Sequence, residues 1–275
     1  MSGEPSGRLA LYLVITFGIT WVFWWPLAFL VPEGSGVFSN ATFSSLYIVG
    51  GLGPTLAALS AVALTPREGA PAAYGTSLTR WRVPPAWYLV AVLLPAVLAI
   101  TLELLAAWFG GKAPFFPASH DLSRVPLVFL TMILGGGLEE LGWRGVAQPQ
   151  LERRFTRLAS ATIVGVAWAV WHVPLFFIHG VAQYGASFPL FAADVVGNAL
   201  LLAWIYGGTG SILVCVLFHA ASNTSATLGL GAWDGSPQMA WIGPAVKIAL
   251  GVALIRAASR FRRPRPPSPR AAPPP

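Results

Sequence analysis

Residues 86–109 read AWYLVAVLLPAVLAITLELLAAWF, an apolar run whose one charged side chain is Glu103. An α-helix needs about 20 apolar residues to cross the roughly 30 Å hydrocarbon core of a bilayer. A run of this length and composition therefore predicts a transmembrane helix and not the core helix of a water-soluble domain.

Seven further apolar stretches flank this run, separated by polar, proline or glycine breaks. Over the whole chain 55% of residues are hydrophobic and 10% are charged, whereas about 25% are charged in a typical soluble domain. These features predict an all-α fold, a polytopic transmembrane helical bundle of about eight helices. The predicted spans are 9–30, 42–64, 86–109, 125–141, 158–178, 188–206, 211–228 and 239–258.

The positively charged residues are distributed unevenly between the connections. They follow the second, fourth and eighth predicted spans and are absent from the first, fifth and seventh connections. Since cytoplasmic loops are enriched in Lys and Arg, this predicts a multi-pass protein of the cell membrane with both termini in the cytoplasm. The net charge of +7 forms no basic face interleaved with aromatic residues, so no nucleic-acid partner is expected.

Ionisable residues at membrane depth concentrate in the second half of the chain. Each costs about 2.5 to 3.5 kcal/mol on insertion scales and therefore raises a functional question. The only cysteine, Cys215, allows neither an internal disulfide nor a thiolate metal cluster. The chain divides into three N-terminal helices at 1–124, a candidate catalytic core at 125–228, a last helix at 229–260 and an Arg/Pro-rich cytoplasmic tail, expected to be disordered, at 261–275.

The first polar group is Glu139, Glu140 and Arg144, at the end of the fourth predicted span. On a helix, Glu140 and Arg144 stand at positions i and i+4 and can form a charge pair. Glu139 points about 100° away from Glu140. The spacing predicts that Arg144 holds Glu140 and that Glu139 remains available for chemistry. The alternative is that all three are solvated at the membrane interface.

The second polar group comes from two other predicted helices. His172 lies in the middle of the fifth predicted span, one turn after Trp168, and His219 and Asn223 share a face of the seventh. A carboxylate and an imidazole can deprotonate water, and an imidazole N–H with an amide NH₂ can donate to an oxyanion. Carboxylate and imidazole are also zinc ligands, so Glu139, His172 and His219 would be the metal set if a metal is used.

Neither HExxH nor GxSxG occurs in the chain, so the soluble zinc protease and the serine hydrolase patterns are absent. Asp194 and Asn198, at i and i+4 of the sixth predicted span, are interpreted as an interhelical hydrogen-bonding pair, with support of His172 or His219 as the alternative. His120 and His179 are interpreted as loop or interface residues.

The motifs, in this order, resemble those of one known family. EELGWR at 139–144 fits EExxxR, Trp168 to His172 resembles FxxxH, and His219 to Asn223 fits HxxxN. These are the motifs of the CAAX prenyl endopeptidase and bacteriocin-processing family, also called CPBP or Abi intramembrane proteases. The resemblance implies that Glu139 and His172 activate water, that His219 and Asn223 stabilise the oxyanion, and that Glu140 with Arg144 supports the site. The departure is Trp168, where the motif has phenylalanine.

We therefore expect an intramembrane endopeptidase that acts on membrane-associated peptides or membrane proteins in the lipid bilayer. The family is often labelled a metalloprotease, and a metal-independent glutamate mechanism is also argued for it, so the cofactor stays open, as does prenylation of the substrate. The first alternative is a non-proteolytic immunity or scaffold protein of the same family. A transporter or proton pathway is a further alternative, although no second set of polar, interrupted helices favours it.

Overall fold

The computed structural model describes residues 5–65, 70–108, 122–230 and 239–261, and every regular element within these ranges is helical. The first half contains α1 (Pro5–Leu30), α2 (Ala41–Gly51), α3 (Gly53–Leu64), α4 (Ala70–Thr79) and α5 (Pro85–Trp108). The second half contains α6 (Val125–Gly135), the short α7 (Glu140–Gly142) and α8 (Gln148–Leu151), then α9 (Arg157–Trp171), α10 (Phe188–Thr209), α11 (Ile212–Thr227) and α12 (Ile242–Phe261).

Six helical segments of the described chain are long and apolar enough to cross a membrane, and a bent pair forms a seventh candidate. The all-helical, multi-pass fold is thus confirmed, but the count of about eight spans is approximate. The second predicted span is broken into α2 and α3, which meet at 44°, because Gly51, Gly53 and Pro54 surround the break at Leu52. The predicted tail lies outside the described residues, except for Phe261, which is the last residue of α12.

The seventh predicted span is the short helix α11, whose 16 residues fall below the about 20 needed for a full crossing. Because most of its side chains are buried inside the bundle, this helix is surrounded mainly by other helices. It packs against α5 and α6 and also contacts α10. Enclosure by these helices places His219 near the centre of the protein, where it is 5% exposed.

Glycines bring the helices of the second half close together. A Cβ added to Gly197 of α10 would lie 2.6 Å from Lys247 Cβ, and one added to Gly251 of α12 would lie 2.6 Å from Leu200 Cβ. Small residues at such crossings let two backbones approach, which favours helix association within a bilayer. The backbones of α10 and α12 are therefore close together at these two glycines.

The chain leaves α6 through an irregular helical segment. A 3₁₀ turn covers Gly137–Glu139, α7 follows, and a π-helical stretch covers Trp143–Ala147 before α8. Such π-helical stretches are rare and frequently accompany functional sites. Here the changes in winding determine the directions of Glu139, Glu140 and Arg144.

The winding of the chain changes at His172. This residue lies within the apolar span Arg157–Phe177, as predicted, but it follows the last turn of α9, and a 3₁₀ segment at Val173–Phe177 begins directly after it. Pro174 explains the change, since a proline lacks the N–H that continues an α-helix. The change in winding leaves the imidazole at the end of α9, where it lines a cavity.

Candidate active site

One cavity, with a volume of about 1180 Å³, collects four of the residues that the motifs single out. Glu139, His172, His219 and Asn223 all line it. They arrive from three different parts of the fold: the 3₁₀ turn after α6, the end of α9, and one face of α11. Glu140 and Arg144 lie behind the cavity wall, and each is 0% exposed.

Glu140 and Arg144 form the charge pair that their spacing predicts. Arg144 Nη1 lies 3.0 Å from Glu140 Oε2 and 3.2 Å from Oε1. The guanidinium also donates from Nη2 to the carbonyl oxygen of Ala199 at 3.3 Å and lies over the Trp168 ring, 5.2 Å from its centroid. Arg144 therefore ties the irregular segment to α9 and α10.

Glu140 also holds His219, a contact that the motif spacing alone does not predict. Its Oε1 atom is 2.9 Å from His219 Nδ1. An ionised carboxylate only accepts hydrogen bonds, so beside it Nδ1 carries the ring proton. The opposite nitrogen, Nε2, then points towards Asn223 and Gly136, since a Cβ added to Gly136 would lie 3.1 Å from Nε2 and collide with Asn223 Nδ2.

His172 is fixed in a similar way by the backbone. Its Nδ1 atom is 2.8 Å from the carbonyl oxygen of Trp168, one turn earlier. Because a carbonyl only accepts, Nδ1 is the donor and the Nε2 of the neutral ring presents a lone pair. The rings of Trp171 and Phe191 pack edge-on against the imidazole, at centroid distances of 4.6 and 5.1 Å. The chain thus determines both the tautomer and the orientation of His172.

Glu139 faces the cavity, and the indole of Trp168 holds it. Trp168 Nε1 donates to Glu139 Oε2 at 2.7 Å, and the Trp168 ring also packs edge-on against His219 at 5.0 Å. The tryptophan that departs from the family motif therefore supplies a hydrogen bond that phenylalanine lacks. An indole N–H in a buried site needs an acceptor, and Glu139 provides it here.

Asp194 makes the predicted hydrogen bond between helices, whereas Asn198 bonds to Asp194 on its own helix. Asn198 Nδ2 donates to Asp194 Oδ2 at 3.1 Å within α10, and the contact between helices comes from Lys247 of α12. The Lys247 ammonium lies 2.8 Å from Asp194 Oδ1. The signal that sequence reasoning missed was a lysine within the eighth apolar stretch.

The other two histidines lie elsewhere. His179 packs against the Tyr184 ring at a centroid distance of 4.1 Å and is not among the residues lining the cavity. His120 lies outside the described residues.

The donor set suits a metal poorly. Catalytic zinc sites use three protein ligands, and the described part of the chain contains no group of three His, Cys, Asp or Glu side chains placed to hold a metal ion. The Nε2 atoms of His172 and His219 stay available, with each Nδ1 atom bonded to the protein as in most metal-ligating histidines, but these atoms and the Glu139 carboxylate are not placed around one point. Glu139, His172 and His219 therefore do not fit as a metal-ligand set in this arrangement.

Comparison with known proteins finds similarity to one family of membrane proteases. Residues 121–225 match the family described as type II CAAX prenyl endopeptidase Rce1-like. Over these residues the chain is similar to the members of this family. It is also 27% identical over 241 residues to CAAX prenyl protease 2 of Methanococcus maripaludis, in an alignment that covers 79% of this chain and 83% of the relative. The match and the apolar helices together indicate a multi-pass membrane protein that is similar to CAAX prenyl endopeptidases.

Proposed function

We propose that this CAAX-family chain hydrolyses peptide bonds inside the membrane, with Glu139 and His172 activating water and His219 and Asn223 stabilising the oxyanion. The observation that carries the proposal is the convergence of these four side chains on one cavity. Proton-accepting and hydrogen-bond-donating groups face the same space, as amide hydrolysis requires. Glu140 and Arg144 support the site from behind.

The reaction begins with a water held between the Glu139 carboxylate and the Nε2 lone pair of His172. Glu139 takes a proton from the water as its oxygen attacks the carbonyl carbon of the substrate. The π electrons of the carbonyl move to its oxygen and form a tetrahedral oxyanion. When the C–N bond breaks, the proton passes from Glu139 to the leaving nitrogen, and the products are a carboxylic acid and an amine.

The oxyanion needs donors, which Asn223 Nδ2 and His219 Nε2 provide. For Nε2 to donate while Nδ1 bonds to Glu140, the His219 ring must carry protons on both nitrogens. The Glu140 carboxylate, 2.9 Å from Nδ1, accepts the hydrogen bond on that side and so directs Nε2 towards Asn223. Arg144 in turn holds Glu140 in place. No step of this reaction is routed through a metal.

The lining of the cavity supports an apolar substrate segment. Beyond the polar residues, side chains of α2, α5 and α6 form much of the wall, among them Ile48, Leu98, Leu102 and Met132. Ligand sites are commonly lined in this way, with few polar groups to fix the orientation. We infer that the substrates are membrane-associated peptides with an apolar or prenylated portion. The charges of the loops support an orientation with both termini in the cytoplasm.

The proposed role of His172 is tested by comparing two histidine variants. Replacing His172 with alanine removes the Nε2 acceptor and is expected to lower kcat for a quenched-fluorescent peptide by about 10²- to 10⁴-fold. The matched control is His179→Ala, which removes a ring outside the cavity. Both proteins would be purified and assayed in lipid vesicles. Equal activity of the two variants would contradict the role of His172.

The Trp168→Phe variant tests whether the indole N–H positions Glu139. Phenylalanine keeps an aromatic ring at this position but loses the 2.7 Å hydrogen bond. A hydrogen bond to a charged group contributes about 1.5 to 3 kcal/mol, so we expect kcat to fall about 10- to 100-fold with little change in KM. Trp87→Phe is the control, because Trp87 packs against Trp204 and neither of these residues lines the cavity. Unchanged kcat in Trp168→Phe would show that Glu139 does not depend on the indole.

A further inference from the structure

A second polar cluster lines the same cavity and takes no part in the proposed hydrolysis. It consists of Lys247 of α12 with Asp194 and Asn198 of α10. The ammonium Nζ lies 2.8 Å from Asp194 Oδ1 and 3.0 Å from Oδ2, and Asn198 Nδ2 lies 3.1 Å from Oδ2. A lysine at membrane depth is energetically costly, so its presence in an otherwise apolar helix raises a functional question.

The cluster lies close to the proposed reaction centre. Phe191 of α10 contacts the ring of His172 at 5.1 Å. Asp194 and Asn198 follow Phe191 by three and seven residues, which correspond to about 4.5 and 10.5 Å along a helix axis. An extended peptide covers about 3.3 to 3.6 Å per residue. A few residues of substrate therefore bridge the distance from His172 to this cluster.

Lys247 is the distinctive charge of the cavity wall. Among the described residues that line the cavity, it is the only lysine or arginine, whereas Glu103, Glu139 and Asp194 are acidic. Its side chain is 19% exposed, so a ligand can reach it. An ammonium has three donors, and Asn198 has a second N–H beyond the one that bonds to Asp194. The cluster thus keeps hydrogen-bond donors for an anionic ligand.

We propose that Lys247 and Asn198 bind the free C-terminal carboxylate of the peptide substrate, with Asp194 holding the ammonium when the cavity is empty. This assignment rests on the proposed peptide hydrolysis. A C-terminal carboxylate is the anionic group that every unmodified peptide carries, and binding it near His172 fixes which peptide bond reaches Glu139. Ammonium and amide donors suit a carboxylate by charge and by geometry. The competing interpretation is that the ion pair only holds α10 against α12.

The test uses two fluorogenic peptides of identical sequence, one ending in a carboxylate and the other in an amide. We expect the wild-type protein in lipid vesicles to show a KM about tenfold lower for the acid than for the amide, since a hydrogen bond to a charged group has this magnitude. Lys247→Met should raise the KM of the acid about tenfold and leave the amide unchanged. The control is Arg157→Met, which breaks the Arg157–Glu152 ion pair away from the cavity.

Asp194→Asn separates the two interpretations further. It frees the lysine, so carboxylate binding predicts an equal or lower KM for the acid, whereas a purely structural ion pair predicts losses of Tm and activity for both peptides. Equal KM values for the acid and the amide with the wild-type protein would overturn the carboxylate assignment but not the proposed hydrolysis. This comparison does not depend on whether Lys247→Met folds. Cleavage of neither peptide by the wild type would overturn the proposed hydrolysis, and this assignment with it.

Discussion

Replacing Glu139 with glutamine is expected to lower peptide cleavage by roughly 10³-fold, within the range of about 10² to 10⁴ for loss of a general acid–base group. Glutamine has nearly the same shape and can still accept the hydrogen bond from Trp168 Nε1. The glutamine amide is not basic enough to take a proton from water. It therefore has no proton to give to the leaving nitrogen. The loss should therefore appear in kcat, while Tm and KM change little.

Glu152→Gln is the matched control for this experiment. Glu152 is a partly exposed carboxylate that bonds to Gln148 and Arg157 and does not line the cavity. Its replacement removes the same charge without touching the proposed reaction centre. Retention of wild-type kcat by Glu139→Gln, with the protein correctly inserted in lipid, would contradict the role of Glu139.

Replacing Gly136 with alanine is expected to have the second-largest effect, about 10²- to 10³-fold in kcat, as for the loss of an oxyanion donor. The added Cβ would collide with Asn223 Nδ2 and lie 3.1 Å from His219 Nε2. It would therefore displace both of the proposed donors. The backbone of Gly136 has φ of −166°, which alanine can adopt, so the effect would come from the displaced side chains.

The neighbouring glycine provides a matched control for Gly136→Ala. A Cβ added to Gly135 meets nothing within 4 Å, so Gly135→Ala should keep the activity of the wild type. Both variants would be assayed for kcat and for Tm in the same lipid. Equal activity of the two alanine variants would contradict the placement of the oxyanion donors beside Gly136.

The sequence predicted those features of the site that depend on spacing along one helix. The Glu140–Arg144 ion pair follows from an i,i+4 interval, and such pairs form whenever the local backbone stays helical. The spans likewise follow from apolar length, apart from the break at Leu52 and the short α11. Local periodicity was sufficient for both.

Contacts between distant segments could not be predicted in the same way. Glu140 and His219 are 79 positions apart and Asp194 and Lys247 are 53 apart, so no single periodicity relates them. Their pairing depends on how the irregular segment after α6 and the close approach of α10 and α12 orient the side chains. The change from α to 3₁₀ winding after His172 could have been predicted from the sequence, since Pro174 stands two residues later.

The most direct test of the central claim is peptide cleavage in water enriched in ¹⁸O, by purified protein in lipid vesicles, with the fragments weighed by mass spectrometry. Hydrolysis by activated water predicts that wild-type protein produces fragments with one ¹⁸O atom in the newly formed carboxyl group and that Glu139→Gln produces almost none. Fragments formed equally by both proteins, or no fragments from wild-type protein with any peptide of a diverse library, would contradict the claim.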